Sequence, residues 1–283
     1  MKAVHIYRLF LLRMITSSRL MWILGFIVGY TYAFSYPIFQ IAQKLNITLT
    51  PFIMIFLIND RSSHTVLLSG LLFALTALDF QKELRQSLLM RSGYISYAIG
   101  YLLFILTVVL LYEVFALILS QVWILSVTSW QNNWGTGWEV LCSNDVLYKF
   151  HITFIPDPSL IENCSAFDAL TLSICLECIL MTILAILSST VNTITRSVCG
   201  TLMSMVVILS DMILYNMFPV SFQKYSPVTL AMLSSFVNAE EGNGITYMYA
   251  VSYYVIALSV LIISYFLIYT LWLKKTKEAY LRE

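Results

Sequence analysis

The stretch "DFQKELRQSLLMRSGY", residues 79–94, carries five charged side chains: Asp79, Lys82, Glu83, Arg85 and Arg91. The chain around it is built differently. Of its 283 residues 59% are hydrophobic and 11% are charged, and the mean hydropathy is +0.82. A soluble domain of this length carries about a quarter charged residues. So few charges cannot cover a water-facing surface, and the composition is that of an all-α integral membrane protein. The charged stretch is then a break between membrane spans.

Charge-poor windows lie on either side of it. Residues 62–79 precede it and 92–121 follow it, the latter running through Glu113. Further windows cover 20–43, 169–189 with Glu177 inside, 197–218 with Asp211 inside, and 247–273. Each approaches the roughly 20 apolar residues that cross a bilayer, which predicts six spans. The second is the shortest. It is preceded by an apolar run, Pro51 to Ile58, too short to cross, and then by Asn59, Asp60 and Arg61. This run reads as a short helix in, or re-entering from, the outer interface, or as the start of one long bent helix reaching Asp79.

Basic residues orient the chain. Lys2, Arg8, Arg13, Arg19, Lys82, Arg85, Arg91, Arg196, Lys274, Lys275, Lys277 and Arg282 fall on one side, twelve of the sixteen. Lys44, Arg61, Lys149 and Lys224 fall on the other. Both termini are expected in the cytoplasm, with 80–91 as the main cytoplasmic loop, 122–168 as a large outer loop and 274–283 as a cytoplasmic tail. In residues 1–19, Lys2, His5, Arg8 and Arg13 share one helical arc, and Tyr7, Phe10, Leu11 and Met14 share the opposite one. That pattern suits a helix lying in the cytoplasmic interface.

Three acids stand inside spans: Glu113, Glu177 and Asp211. Each is costly in hydrocarbon and should face the interior or a wet cavity. Arg61 and His64, at the outer start of the second span, are basic partners at matching depth. The five residues are candidates for a substrate path or proton relay, or for a network that holds spans together. Cys142 and Cys164 both fall in the outer loop, where an oxidising side permits a disulfide. "CLEC", Cys175 to Cys178, has neither a βαβ setting for redox work nor a histidine nearby for zinc, so these thiols and Cys199 read as packing residues. Trp123, Trp130, Trp134 and Trp138 read as an interfacial aromatic belt.

No GxxxxGK[ST], HExxH or GxSxG occurs, so the chain is not expected to be an enzyme by itself, and it needs no metal or cofactor of its own. A net charge of +1 gives no reason to expect nucleic acid.

Layout and local strings together resemble the membrane subunits of ABC type-2 transporters, the permease half of bacterial exporters whose ATPase is a separate polypeptide. The layout is an interfacial helix, six spans, a charged loop after the second and a large outer segment after the third. "TSSRLMWILGF" at 16–26 is similar to the family's approach to the first span. "DFQKELRQSLLMRSGYISYAIGYLL" at 79–103 is similar to its passage from second span to third, and "YSPVTLAMLSSF" at 225–236 to its outer hairpin before the last span. The resemblance implies that Phe80, Gln81, Lys82, Glu83, Leu84 and Arg85 form a coupling helix that docks on the ATPase. It further implies two ATPase copies using ATP and Mg, a second permease subunit, identical or homologous, surrounding lipid, and the bacterial cytoplasmic membrane. The expected function is export of a peptide, antibiotic or lipid-like molecule. Two alternatives stay open: an immunity or sensor protein that binds a peptide at its outer loop, and a proton-coupled transporter using the intramembrane acids.

Overall fold

The computed structural model describes residues 2–78, 88, 91–143, 156–195, 197–237 and 245–272. Among them the chain is helical, with one isolated parallel bridge, Leu49 to Thr128. The helices are α1 (Lys2–Thr16), α2 (Arg19–Leu45), α3 (Ile53–Asn59), α4 (Arg61–Leu78), α5 (Tyr94–Ile124), α6 (Gly135–Leu141), α7 (Pro158–Asn163), α8 (Ala166–Thr195), α9 (Cys199–Met217), α10 (Ser234–Val237) and α11 (Tyr247–Leu267). A wider helical turn, Ile268–Trp272, continues α11.

Five of these helices are long and apolar enough to cross a membrane: α2, α5, α8, α9 and α11 with its extension. They fill the windows beginning at 20, 92, 169, 197 and 247 and overrun most of them by a few residues. Arg19 and Lys44 lie inside α2, because long basic side chains can bury their stems and still reach water. The window 62–79 holds α4, which is not among the five. Its 18 residues include Arg61 and His64, and both lower its hydropathy. α4 nevertheless packs against α2, α3, α5, α8 and α9. The outward faces of α9 and α11 are apolar, with Leu202, Val206, Ile213, Ile256, Val260 and Ile263 exposed. A soluble monomer rarely shows so extended a patch, and lipid covers it without cost.

Helix ends follow local chemistry. α2 stops where Asn46 takes the left-handed conformation, φ 52°, a position Asn tolerates better than most residues. Asp157 caps α7 by accepting the backbone N–H of Ser159 at 3.0 Å. Ser165 and Asp168 cap α8 reciprocally. α9 is capped from outside its own segment. Asn192 of α8 accepts the N–H groups of Gly200 and Thr201, and a Cβ at Gly200 would lie 2.2 Å from the carbonyl of Ser188. Glycine thereby sets how closely α8 and α9 can turn onto one another.

α1 is amphipathic as its arcs suggest. Lys2, His5 and Arg8 are exposed, while Ile6, Phe10 and Met14 are buried along one stripe. The buried stripe lies on α5, where Phe10 meets Tyr97, Tyr101 and Phe104 with ring centroids 5.3–6.0 Å apart. Tyr265 and Tyr269 join this aromatic group, and Tyr269 shares a hydrogen bond with Thr193 at 3.1 Å. At Gly100 a Cβ would meet the carbonyl of Ala3 at 2.7 Å and Ile6 at 2.9 Å. Gly100→Ala is therefore expected to cost about 1–3 kcal/mol of overpacking. Limited proteolysis should show residues 2–16 released sooner in the variant, at unchanged rates elsewhere.

One end of the bundle carries a cap made of the 46–52 segment, residues 125–143 and α7. Leu49 exchanges backbone bonds with Val127 and Ser129 at 2.9 and 2.7 Å. The tryptophans correct the aromatic-belt expectation. Trp130 is exposed, but Trp138 is fully buried and Trp134 nearly so. Trp138 donates to the carbonyl of Thr50 at 3.1 Å and packs on Phe56 at 4.6 Å. These rings build the core of the cap, because each indole N–H finds a backbone acceptor there. Cys142 and Cys164, where a disulfide was permitted, are free thiols. They end different helices, and it is the Trp134 indole that ties the start of α6 to the end of α7, donating to the Cys164 carbonyl at 2.7 Å. Burial, with Asp157 and Glu139 nearby, pushes the Cys142 thiol up to about 12. Cys175 and Cys199 are exposed on helix surfaces and contribute nothing to the core, and Cys178 is half-buried.

Candidate functional site: a charged seam at a helix break

One residue, Asp60, separates α3 from α4. It is extended, φ −87° and ψ 120°, and its N–H still bonds the carbonyl of Phe56 at 2.8 Å. Its carboxylate accepts the N–H of Ser63 at 2.8 Å and so caps α4. All seven residues of α3 are buried. The segment therefore lies inside the fold and not along the outer interface, and with α4 it makes a helix broken at Asp60. Non-helical backbone at depth is tolerated where protein surrounds it and supplies partners.

Asn59 supplies several of those partners. Its amide nitrogen donates to Ile55 at 2.8 Å and to Ser173 of α8 at 3.3 Å, and its oxygen accepts the N–H of Ser234 at 2.9 Å. The break is thereby fastened to α8 and to the hairpin before α11. The sequence marks Asn59 only as a polar amide at the end of an apolar run and gives no sign of its partners.

The break presents two basic side chains to acids on other helices. Arg61 is bonded to Asp211 of α9. Asp211 is fully buried and also accepts the hydroxyls of Ser226 and Thr229, the latter at 2.5 Å. Arg61 reaches Thr229 at 3.2 Å, and its guanidinium lies 4.1 Å from the centroid of the Tyr215 ring. Residues 228–233 are all buried, so this group clamps the hairpin before α11 down into the bundle. A buried charge survives when paired and hydrogen-bonded, and Asp211 has three such partners.

One turn further along α4, His64 Nε2 lies 2.5 Å from Glu177 Oε2, with both side chains fully buried. Glu177 is eleven residues from the cap end of α8, and Glu113 is eleven from the cap end of α5. At helical rise both are about 16 Å in. The two carboxyls are near enough to interact electrostatically. Tyr30 of α2, bonded to Ser63 at 2.8 Å, lies within the same field. Glu113 is 2% exposed, and neither of its carboxyl oxygens has a hydrogen-bond partner among the described residues. Glu177 Oε1 and His64 Nδ1 are likewise unpartnered there.

The structure thus brings Arg61, His64, Glu113, Glu177 and Asp211 into one seam between α4, α5, α8 and α9. The residues Phe80, Gln81, Lys82, Glu83, Leu84 and Arg85 lie outside the described residues. Among the described residues no group of His, Cys, Asp and Glu is arranged to hold a metal ion. No protein-family model, no curated protein and no solved structure matches the chain.

Proposed function

We propose that the chain is the membrane-embedded permease subunit of an ATP-driven exporter whose ATPase is a separate polypeptide. The observation that carries a transport role is the broken helix α3–α4. It brings Arg61 and His64 into the bundle beside Asp60, and ties Arg61 to α9 and His64 to α8. Charged residues held at depth mark substrate and ion paths, and discontinuous helices are a recurrent way of building sites near the bilayer midplane. A bundle joined by a few polar contacts across a break can open there without dismantling its apolar packing.

The ATP-driven form of the reading rests on the resemblance drawn from residues 16–26, 79–103 and 225–236. In this reading α4 also crosses, as the second of six spans, and both termini are cytoplasmic. α1 braces the cytoplasmic side of α5, and residues 80–85 dock on the ATPase. Two permease chains, identical or homologous, and two ATPases make the assembly, and the substrate is a peptide, an antibiotic or a lipid-like molecule. ATP-driven closure of the ATPases would move α4 and α5 through the loop that joins them.

The test is affinity purification of the tagged chain from its own membrane, followed by ATP hydrolysis in the eluate. A stand-alone P-loop ATPase should co-purify. Glu83→Ala combined with Arg85→Ala should weaken that association by about tenfold or more, the equivalent of ~1.4 kcal/mol. A folded chain that brings down no ATPase overturns the exporter and favours a peptide-binding immunity or sensor protein.

A further inference from the structure

The inner part of the seam does something the ATP-driven reading does not require. Three titratable side chains, Glu113, Glu177 and His64, are buried within electrostatic reach of one another, with exposures of 2%, 0% and 0%. Among the described residues a single bond joins them, His64 Nε2 to Glu177 Oε2, and four polar atoms remain without partners. These are both oxygens of Glu113, Glu177 Oε1 and His64 Nδ1.

Charge counting narrows what completes this group. If the imidazole is cationic and answers Glu177, Glu113 still has no counter-charge. Arg61 does not serve, because it is engaged by Asp211 and Thr229 one turn away. The other titratable groups within reach of one or both carboxyls are Tyr30 on α2, Tyr112 beside Glu113, Cys178 on α8 and Tyr254 on α11, and Asp60 at the break faces His64. None of these is a cation. Three of the phenols are already bonded: Tyr30 to Ser63, Tyr112 to the Leu67 carbonyl at 2.9 Å, and Tyr254 to the Pro227 carbonyl at 2.7 Å. An isolated carboxylate in so dry a place is far too costly to persist and is neutralised instead. All three side chains are packed away from solvent, so whatever completes the group must be very small.

We propose that Glu113, Glu177 and His64 form an intramembrane proton-binding site. In the closed bundle the three side chains hold, between them, one proton beyond the one in the His64–Glu177 bond. That proton comes from water when the seam is open and returns to water when the seam is wetted again. Each opening and closing of the bundle around the α3–α4 break is thereby coupled to proton release and uptake, whatever drives it. The site belongs to this chain alone and needs no ATPase.

Infrared difference spectroscopy on the purified full chain in lipid nanodiscs tests this. At neutral pH the wild type should show a carbonyl band of a protonated carboxyl group that shifts in deuterated water and disappears as pH is raised. Glu113→Gln should lose the band. His64→Gln should move its disappearance to a different pH. Glu139→Gln, on the exposed face of α6, should keep the band unchanged. Thermal midpoints give a second readout. The wild type should lose stability as pH rises from the ordinary carboxyl range to the pH at which the band disappears, and level off above it. Glu113→Gln, near in shape but unable to ionise, should not. No protonated carboxyl in the wild type at neutral pH overturns the proposal. So does a band abolished by sodium or potassium at constant pH, which would make this a monovalent-cation site. Neither result bears on ATPase co-purification.

Discussion

Asp211→Ala is expected to destabilise the chain by about 3–5 kcal/mol, among the largest effects of any single substitution in it. The reason is what the change leaves behind. Arg61 keeps its charge, mostly shielded from solvent at 16% exposure, with a threonine hydroxyl and the Tyr215 ring as remaining company. Removing one partner of a buried pair costs more than the pair contributes, because the surviving ion stays desolvated. The hydroxyls of Ser226 and Thr229 lose their shared acceptor as well, at about 1–3 kcal/mol for each polar group left unsatisfied. These terms overlap and do not add. Asp211→Asn retains an acceptor oxygen and should cost less than the alanine. Replacing both partners, Arg61→Met with Asp211→Leu, should recover most of the loss, since apolar substitutes for a buried pair are often neutral or better. Thermal unfolding of the four proteins in nanodiscs checks the order. Equal midpoints for wild type and Asp211→Ala would mean that Asp211 does not hold the hairpin at residues 228–233.

Much of this arrangement is legible in the chain itself, and the legible part has a physical pattern. Five long helices occupy charge-poor windows because hydrocarbon excludes charge, and hydropathy alone records that. Arg61 and His64 could be named as partners for the three acids because residues in spans have a depth, and depth follows from counting along a helix; which base meets which acid could not be read. What could not be read depends on contacts distant in sequence. The run from Pro51 to Ile58 is equally apolar whether it lies in an interface or in a core. Its burial is decided by α5, α8 and the cap around it. Asn59 owes its role to Ser173 and Ser234, which are 114 and 175 residues away. Trp134 and Trp138 match an interfacial belt by composition, yet the cap folds over them and each indole finds a carbonyl. The 79–87 stretch, the most conspicuous feature of the sequence, lies outside the described residues, and its role is carried by resemblance and by the purification test.

The cap and the seam are mechanically one piece, and Trp138→Ala should reveal it. Trp138 is fully buried, with its ring 4.6 Å from Phe56 of α3 and its N–H on the carbonyl of Thr50. Truncation opens a cavity and orphans that carbonyl, for an expected loss of about 3–5 kcal/mol. Trp138→Phe, which refills most of the volume but cannot donate, should lose roughly 1–3 kcal/mol. The informative part is where the damage spreads. α3 is held from above by Trp134 and Trp138 and from below by Asn59 and the break. With its upper seat gone, α3 can shift, and Arg61 and His64 shift with it because one residue separates the two helices. Hydrogen exchange should therefore rise in the alanine variant in the cap and also in residues 59–65, while α1 and the aromatic group around Tyr97 stay protected. Exchange that rises in the cap alone would show that the break is fixed from the α8 and α9 side and moves independently of the cap. In that case a ligand bound at the cap could not be felt at the seam.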